Sequence, residues 1–379
     1  MFLPFETVLI ITSLLTTQIY CFGIIWFITG IRRNSSVVPD CFEVSIVIAA
    51  RDEADRIDGL LNDLSNQSYS FLEIIVVDDH STDGTDQVVK NWCQKDSRYK
   101  LISLEETEGK KAALAKGISS SDGEIILTTD ADCRVGIDWV SAMVQYFTPE
   151  VGFVVGFSQL KMHMSNLRSS FETIDFLGLM ACIWGSCGHG YPMAASGQNI
   201  AFRKCVYEEV GGYTDIMHRI SGDDVLFMQK VRASRNWLIS FADSEKAYVA
   251  HPCSSSWLSL VNQRTRWASN APLMLRMAPF FFIYLLVAYL MNFLSLALPI
   301  LYLVSRFPLW TITVMLFFKL TVEWMIFSRI SKLAGRSELK RSWPFWAMLH
   351  PICVVLVGLM GPLGLFRWKR RGQRWGRTL

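Results

Sequence analysis

Acidic residues gather at three points of the sequence, each just after an apolar run. Asp130 and Asp132 stand two positions apart after EIILTT, Asp78 follows LEIIVV, and Glu53 comes shortly after VSIVIAA. A single aspartate at such a point is typical of a turn or a helix cap. Three clusters are harder to explain in this way, because their mutual repulsion costs stability unless a cation or ligand compensates it. We therefore expect these carboxylates to hold something positively charged.

The elements that must position these carboxylates follow from the hydrophobic pattern. Apolar and β-branched runs predict strands at 43–49, 72–77, 99–104 and 124–129. Helical spacing of apolar residues appears between them, and one helix is expected around 110–116, closed by Gly117. This alternation predicts an α/β fold with a mainly parallel sheet and helices on both faces. Ligands bind beyond the carboxyl ends of such strands, where the acidic clusters fall.

The composition indicates a membrane protein. Of 379 residues, 51% are hydrophobic, and the mean hydropathy is +0.27. The stretches long enough to cross or enter a bilayer are roughly 4–30, 278–304, 308–328 and 344–366. The first lacks a positively charged start and is too long for the core of a cleaved signal, so it predicts an uncleaved anchor.

Basic residues indicate the orientation in the membrane. They gather at Arg32-Arg33, at 329–341 and at 367–377, and such segments are typically cytoplasmic. We therefore expect an integral protein of the cell membrane with its globular domain in the cytoplasm. Four full crossings would leave the basic tail outside, so the stretch 344–366, which contains Pro351, is expected to be re-entrant or interfacial.

These patterns divide the chain into an anchor at 1–31, a globular domain at 43–255, an interfacial helix at 256–276 and a membrane region at 277–379. The segment 171–195 is unusually apolar but is interrupted by Gly and Pro, which argues against a spanning helix. It is interpreted either as core packing or as an acceptor-side wall that faces the membrane. The nine cysteines lack paired spacing, as expected for reduced thiols.

The order of the motifs resembles that of the family 2 glycosyltransferases with the GT-A fold. The matching pieces are VSIVIAARDEADRI, IIVVDDHSTDGT, GKKAALAKGI, GEIILTTDAD, SGQNIAFRK, VGGY, SGDD and QRTRW. Together they cover roughly residues 43–270 in the family's order. The resemblance is to the membrane-anchored type with a Gln-x-x-Arg-Trp motif, which implies a GT-A domain flanked by N- and C-terminal transmembrane helices.

The resemblance implies a nucleotide-sugar donor, with a UDP-sugar expected, and a divalent metal, Mg²⁺ or Mn²⁺. Asp132 would coordinate the metal, and Asp130 would contact the ribose or support the metal; a structural turn is the alternative. A hard cation held by carboxylate oxygen neutralises the charge that grows on the diphosphate as the sugar leaves. Lys110 or Lys111 would meet a phosphate, with Lys111 taken as the donor contact. A solvated helix start is the alternative for both lysines.

The nucleotide end of the donor is assigned by the same resemblance. Asp78 resembles the aspartate that hydrogen-bonds the base, and Glu53 and the backbone of Ala50 would hold the same end. The family often has Asn where this chain has Asp52. The identity of the base therefore stays open.

Asp223 and Asp224 precede a helical pattern. The resemblance implies that Asp224 is the base that takes the proton from the acceptor hydroxyl, with Asp223 as the alternative. The single in-line displacement would invert the anomeric configuration. The structural alternative is that both residues only suit the helix N-terminus, where the dipole favours negative charge.

Gln263, Arg266 and Trp267 are spaced so that they share one face of a helix. In the family's motif, Arg266 would meet the pyrophosphate, Trp267 would stack on the acceptor, and Gln263 would belong to the same donor site. The alternative is an interfacial belt, since Trp and Arg are common anchors beside a membrane segment.

These observations predict an inverting, metal-dependent glycosyltransferase with a membrane lipid as acceptor, or alternatively a synthase that extends a polysaccharide. The Gln-x-x-Arg-Trp motif favours a polymer synthase. The small number of C-terminal apolar segments, about three, favours a lipid acceptor instead. A nucleotidyltransferase is an alternative that would not need Asp224, and a non-catalytic binding module would not need its carboxylates. The expected partners are the donor, a lipid or glycan acceptor and membrane lipids, with no nucleic acid.

Overall fold

The computed structural model describes residues 4–33, 41–106, 109–161, 166–219, 221–368, 371–374 and 377–378. Its α-helices, in chain order, are α1 (Phe5–Gly30), α2 (Ala54–Ser65), α3 (Thr85–Lys95), α4 (Lys110–Ser119), α5 (Trp139–Val144), α6 (Leu167–Gly188), α7 (Lys204–Glu209), α8 (Val225–Ser234), α9 (Trp257–Ala268), α10 (Ala271–Met277), α11 (Pro279–Ser305), α12 (Leu309–Leu333) and α13 (Trp343–Met360). Its strands are β1 (Val44–Ala50), β2 (Leu72–Asp78), β3 (Tyr99–Ser103), β4 (Ile125–Thr128), β5 (Arg134–Val135), β6 (Val151–Gly156), β7 (Ser158–Lys161), β8 (Ile200–Arg203), β9 (Leu238–Ala242), β10 (Val249–Pro252), β11 (Arg367–Trp368), β12 (Arg371–Arg374) and β13 (Arg377–Thr378).

The described residues divide into two compact units. The sheet unit contains those of Arg32–Lys161 and Cys187–Cys253. The helical unit contains those of Met1–Ile31, Met162–Ser186 and Ser254–Leu379.

The sheet unit is built on a seven-stranded sheet with the order β3-β2-β1-β4-β8-β6-β9. Strand β8 runs antiparallel to its neighbours β4 and β6, whereas the other neighbouring pairs are parallel. The expected mainly parallel α/β sheet is thereby confirmed, and strands form in all four predicted places. A second, three-stranded sheet has the order β5-β10-β7.

Helices cover the sheet on both faces. Ile74 of β2 lies in one core with Leu60 of α2, whereas the next residue, Ile75, lies in a second core with Ala113 of α4. Successive side chains of a strand point to opposite faces, so the two cores lie on opposite sides of the sheet. The continuous apolar run of β2 is thus explained by burial on both sides.

Helix α4 is longer than expected, because it continues through Gly117 to Ser119. A Cβ atom at Gly117 would overlap the side chain of Val47 and would lie 3.0 Å from Val77 Cγ2. Gly117 is therefore required by the close approach of α4 to β1 and β2, and it does not end the helix.

A buried amide joins several segments of the sheet unit. Asn199 Oδ1 accepts a hydrogen bond from the indole of Trp139 at 3.0 Å. Its Nδ2 donates to the carbonyls of Phe157 at 2.9 Å and Ala247 at 2.8 Å. Because Asn199 is fully buried, these bonds satisfy groups that water does not reach.

Among the described residues, four helices are long and apolar enough to cross a membrane, namely α1, α11, α12 and α13. They form at the four predicted apolar stretches, although α12 extends to Leu333 and α13 ends at Met360. Large apolar side chains remain exposed on them; Leu303 and Val304, for example, are each 80% exposed. Such a surface is suited to lipid rather than to water.

Most of the apolar segment that begins at residue 171 lies in one continuous helix. Helix α6 runs from Leu167 to Gly188 and contains Gly178 and Gly185. A Cβ atom at Gly185 would collide with the backbone of Phe27 in α1, so this glycine permits close helix packing. Although α6 is helical up to Gly188, it is not one of the four described helices that are long and apolar enough to cross a membrane, which agrees with the expectation for this segment.

The apolar helices contain a buried ion pair. Lys319 Nζ lies 2.7 Å from Glu323 Oε1, one turn away on α12. The hydroxyl of Tyr20 on α1 donates to the same oxygen at 2.7 Å. Lys319 and Glu323 are only 1% and 3% exposed, so each charge depends on this network.

Candidate active site

The carboxyl ends of three adjacent strands carry the acidic residues. Strand β1 lies between β2 and β4 and is parallel to both, so their carboxyl ends meet at one edge. Ala50 and Asp78 are direct partners at the ends of β1 and β2. The Asp79 amide donates to the Ala50 carbonyl at 2.8 Å, which continues this pairing. Asp130 follows β4 at the same edge.

Lys110 joins the acidic clusters. Its Nζ lies 2.7 Å from Asp130 Oδ1 and 2.7 Å from Asp223 Oδ2. Burial disfavours the charged ammonium, but the two carboxylates outweigh this effect and raise the pKa of Lys110 well above its usual value. Asp79 holds the start of α4, the helix that begins at Lys110, because its carboxylate accepts a hydrogen bond from the Gly109 amide at 3.0 Å. The strand ends and the segment before α8 therefore form one site.

Asp130 and Asp132 are suited to a divalent cation. Possible ligand atoms of Asp130, Asp132 and Cys133 lie within 4.8 Å of one another. Burial, and then the negative charges of Asp130 and Glu53, raise the pKa of Asp132 to about 6. This excess of negative charge fits a bound cation. Mg²⁺ and Mn²⁺ prefer oxygen, so the carboxylates fit them better than the buried Cys133 thiol does.

Asp223 and Asp224 have different surroundings. Burial opposes the charge of Asp223, but Lys110 and Lys111 outweigh this effect and lower the pKa of Asp223 to about 2. Burial, and then the negative charge of Asp223, raise the pKa of Asp224. Asp223 is thus a paired anion, whereas Asp224 is the more basic carboxylate.

Asp224 is held by backbone amides. Its Oδ1 accepts from the Val225 amide at 2.6 Å, and its Oδ2 accepts from the Gly197 amide at 2.9 Å. A Cβ atom at Gly197 would lie 3.2 Å from Asp223 Oδ2 and 3.3 Å from Asp224 Oδ2. A glycine at this position therefore lets the loop approach both carboxylates. No sequence pattern pointed to this contact, although SGQN was among the quoted motifs.

Asp78 presents a buried oxygen to the same edge of the sheet. Its Oδ2 accepts from the Ser81 amide at 3.3 Å. Its Oδ1 is buried and has no hydrogen-bond partner among the described residues. A buried carboxylate oxygen of this kind is costly unless a donor reaches it, so it fits an N–H or O–H group of a ligand.

The loops after β1 and β2 hold each other in place. Asp52 has φ 52°, a left-handed conformation that Asn and Asp tolerate better than most residues. Its Oδ1 accepts from the Thr82 amide at 2.9 Å, and the Glu53 amide donates to Thr85 Oγ1 at 2.9 Å. An Asn oxygen could accept the same bond, which explains structurally why Asp52 can stand where the resemblance led us to expect Asn.

The structure places the two lysines of the GKK motif differently from what we expected. Lys111 is buried, and its Nζ donates to the carbonyl of Arg219. Burial lowers the pKa of Lys111 to about 8. Lys110, not Lys111, faces the carboxylates, so the geometry favours Lys110 over the expected Lys111 as the donor contact, and this contact stays a prediction. Adjacent helical residues point in different directions, and the sequence does not show which one faces the site.

Gln263, Arg266 and Trp267 lie on α9 in the helical unit. The helix forms as expected, so the spacing of the three residues places them on one side of it. Their contacts with a donor or an acceptor stay a prediction.

Comparisons with known proteins agree on one family. Residues 45–203 match the family model described as Glycosyl transferase family 2, and residues 125–359 match that of Glycosyl transferase family group 2. The chain is similar to the poly-beta-1,6-N-acetyl-D-glucosamine synthase of Staphylococcus epidermidis, with 25% identity over 237 residues, 60% of this chain and 54% of that protein. The Staphylococcus aureus synthase of the same name is 25% identical over 254 residues, 65% of this chain and 60% of that protein.

The chain therefore spans only between 54% and 60% of the length of these curated relatives. Among solved structures, the fold is similar to that of a mannosyltransferase, PcManGT from Pyrobaculum calidifontis, which was solved in complex with GDP-Man and Mn²⁺. The TM-score is 0.60, the identity is 19%, and the match covers 93% of this chain and 97% of the other. At this identity the likeness shows the shared fold.

Proposed function

The chain belongs to the family 2 glycosyltransferases, and we propose that it transfers a sugar with inversion from a nucleotide-diphospho-sugar, with a UDP-sugar as the expected donor, to a membrane lipid. Membership of this family decides against a nucleotidyltransferase and against a non-catalytic binding module. The observation that carries the proposal is the bridge of Lys110 between Asp130 and Asp223. It joins the carboxylates suited to a cation to the carboxylates suited to proton transfer.

The donor would lie across the edge formed by β2, β1 and β4. The unpartnered oxygen of Asp78 would accept from an N–H of the base, and Glu53 and the backbone of Ala50 would hold the same end. Asp130 and Asp132 would hold Mg²⁺ or Mn²⁺, which neutralises the developing charge of the diphosphate. Lys110 would donate to a phosphate oxygen beside them.

Asp224 would act as the base. Its carboxylate would take the proton of the acceptor hydroxyl while that oxygen forms a bond to the anomeric carbon. The bond between this carbon and the diphosphate oxygen breaks in the same step, and its electron pair leaves with the diphosphate. Attack opposite the leaving group inverts the anomeric centre. Asp223, which is paired with Lys110, is less suited to this task.

We further propose that the motif residues of α9 complete the reaction site. Arg266 would meet the pyrophosphate, Gln263 would belong to the donor site, and Trp267 would stack on the acceptor. This assignment rests on the resemblance of QRTRW to the family's motif.

A lipid acceptor is favoured by the small number of apolar C-terminal helices, since only α11, α12 and α13 of the described residues after the sheet unit are long and apolar enough to cross a membrane. A polysaccharide acceptor is the second candidate, and it is favoured by the similarity to the two staphylococcal synthases. We propose a location in the cell membrane with the sheet unit in the cytoplasm, because basic residues flank the apolar segments as the positive-inside rule expects.

A donor screen tests the proposed function. Purified full-length protein would be incubated with Mn²⁺, a panel of labelled nucleotide-sugars and a total membrane-lipid extract, and the products would be separated by polarity. We expect a labelled lipid-soluble product with a UDP-sugar. A labelled insoluble polymer would establish the polysaccharide candidate instead. No transfer with any donor, together with no nucleotide binding in Mn²⁺, would contradict the proposal.

A further inference from the structure

Arg264 lies between the residues of the predicted motif on α9 and contacts two of them. Its Nη1 donates a hydrogen bond to Gln263 Oε1 at 3.0 Å. Its guanidinium carbon lies 4.4 Å from the centroid of the Trp267 ring, which is a cation–π distance. Arg264 is only 7% exposed, so this contact is desolvated and strengthened.

Helix α6 holds Arg264 in turn. Asp175 Oδ2 accepts from Arg264 Nε at 2.8 Å, a charge-assisted bond that restricts the orientation of the planar guanidinium. The next residue, Phe176, has its ring centroid 6.3 Å from that of Trp267. Two consecutive residues of α6 therefore hold the cation and the indole together.

One nitrogen of the Arg264 guanidinium has no hydrogen-bond partner among the described residues. Nη2 is buried and has no hydrogen-bond partner among the described residues, whereas Nε and Nη1 are engaged. A buried N–H group without an acceptor is costly, and an oxygen atom of a ligand would satisfy it. A hydroxyl-bearing molecule stacked on Trp267 would bring such an oxygen close to the guanidinium.

We infer that Arg264, held by Asp175, is a positioning residue for Trp267, the side chain on which the acceptor is proposed to stack. Its Nη2 would donate a hydrogen bond to an acceptor hydroxyl oxygen. Arg264 fixes the Gln263 amide and the Trp267 indole in one arrangement. This inference rests on the proposed role of Trp267 and extends it to two residues that the Gln-x-x-Arg-Trp pattern does not include. Lysine cannot replace Arg264 fully, because its ammonium lacks the planar fork that contacts Asp175 and Gln263 at once.

A spectroscopic test needs no substrate. Full-length protein would be labelled with 5-fluorotryptophan, and the fluorine resonance of Trp267 would be assigned by its loss in Trp267→Phe. We expect this resonance to shift or broaden in Arg264→Lys and Asp175→Asn. Arg276→Met, which removes an exposed cation from α10, serves as the matched control and should leave it unchanged. An unchanged Trp267 resonance in both Arg264→Lys and Asp175→Asn would overturn the inference.

Kinetics separate this role from a general loss of folding. With the membrane-lipid extract as acceptor, Arg264→Lys and Asp175→Asn should raise the KM for the extract about tenfold, the effect of losing one oriented charged contact. The KM for the donor should rise less than the KM for the extract, because Gln263 loses one hydrogen bond while the other proposed donor contacts stay in place. An equal rise in both KM values would overturn the inference.

The same series distinguishes the inference from the function on which it rests. Trp267→Phe should also raise the KM for the lipid extract. If it does so and Arg264→Lys does not, the positioning role is contradicted and the proposed role of Trp267 stands. If Trp267→Phe leaves this KM unchanged, the proposed acceptor role of Trp267 fails.

Discussion

The carboxylate of Asp224 accepts a hydrogen bond from the backbone amide of Gly197 at 2.9 Å. The Gly197 amide fixes the orientation of the Asp224 carboxylate but, because it is uncharged, does not neutralise the negative charge. The adjacent Asp223 has its charge compensated by Lys110 at 2.7 Å. The chain thus places a basic and a paired carboxylate side by side, and mutations of the two should have different effects.

Asp224→Asn should abolish sugar transfer while nucleotide binding is retained. The amide preserves the shape of the side chain but cannot take a proton, and loss of a general base typically costs about 10²–10⁴-fold in rate. Turnover and nucleotide binding would be measured on the same preparation. Asp215→Asn, at a carboxylate that is 80% exposed, is the matched control. Retained turnover in Asp224→Asn together with its loss in Asp223→Asn would assign the base to Asp223.

The rate should depend on pH through Asp224. A base must be ionised, and burial together with Asp223 raises the pKa of Asp224, so kcat should fall as the pH falls through this raised pKa. In Asp223→Asn the like charge is absent, the pKa of Asp224 falls, and the acid limb should move to lower pH. A pH profile of kcat in both proteins, with folding checked by circular dichroism, measures this shift. A shift to higher pH would contradict the assignment.

Lys110→Met should affect the cation and the nucleotide in opposite directions. Without nucleotide, Mn²⁺ should bind more tightly, by about tenfold for each 1.4 kcal/mol of repulsion that is removed. Nucleotide binding should weaken, because the ammonium that we propose to contact the diphosphate is lost. Electron paramagnetic resonance of free Mn²⁺ and calorimetry with UDP measure the two effects.

The control for this pair of measurements is Lys116→Met, an exposed lysine on the same helix. It should change neither affinity. If Lys110→Met left the Mn²⁺ affinity unchanged, Lys110 and the cation would not share Asp130.

Asn199→Ala should destabilise the sheet unit. It removes the partners of the Trp139 indole and of the carbonyls of Phe157 and Ala247, and each unsatisfied buried group costs about 1–3 kcal/mol. Thermal unfolding would measure the loss, with the exposed Asn236→Ala as the control. An unchanged Tm would show that the amide network contributes little.

Glu323→Leu should destabilise the helical unit more than the double change Lys319→Met with Glu323→Leu. The single change leaves a buried ammonium without its partner, which costs about 3–5 kcal/mol, whereas replacing both charges is often neutral or stabilising. Thermal unfolding in detergent compares the two variants. Equal losses would indicate that the charges act independently.

The sheet and its acidic edge were predictable because they depend on local patterns. Apolar runs of strand length alternate with helical spacing, and parallel strands then bring Asp78 and Asp130 to one edge of the sheet. The apolar stretches likewise indicated helices, since 20 or so consecutive apolar residues have few other structures available.

The contacts that orient the side chains were not predictable. The choice between Lys110 and Lys111 depends on how α4 rotates against the sheet. The amide of Gly197 reaches Asp224 across 27 positions of the chain, and Arg264 reaches Asp175 across 89. Such contacts follow from tertiary packing, which neither periodicity nor motif spacing encodes.

Gly117 lets α4 seat directly on Val47 and Val77, and Lys110 stands at the opposite end of the same helix. Seven residues separate the two positions, about 10 Å along a helix axis. A methyl group added at Gly117 would push the C-terminal part of α4 away from the sheet. Because the helix is rigid, the ammonium of Lys110 at its other end would change position. The placement of the Lys110 ammonium between Asp130 and Asp223 therefore depends partly on a glycine in the hydrophobic core.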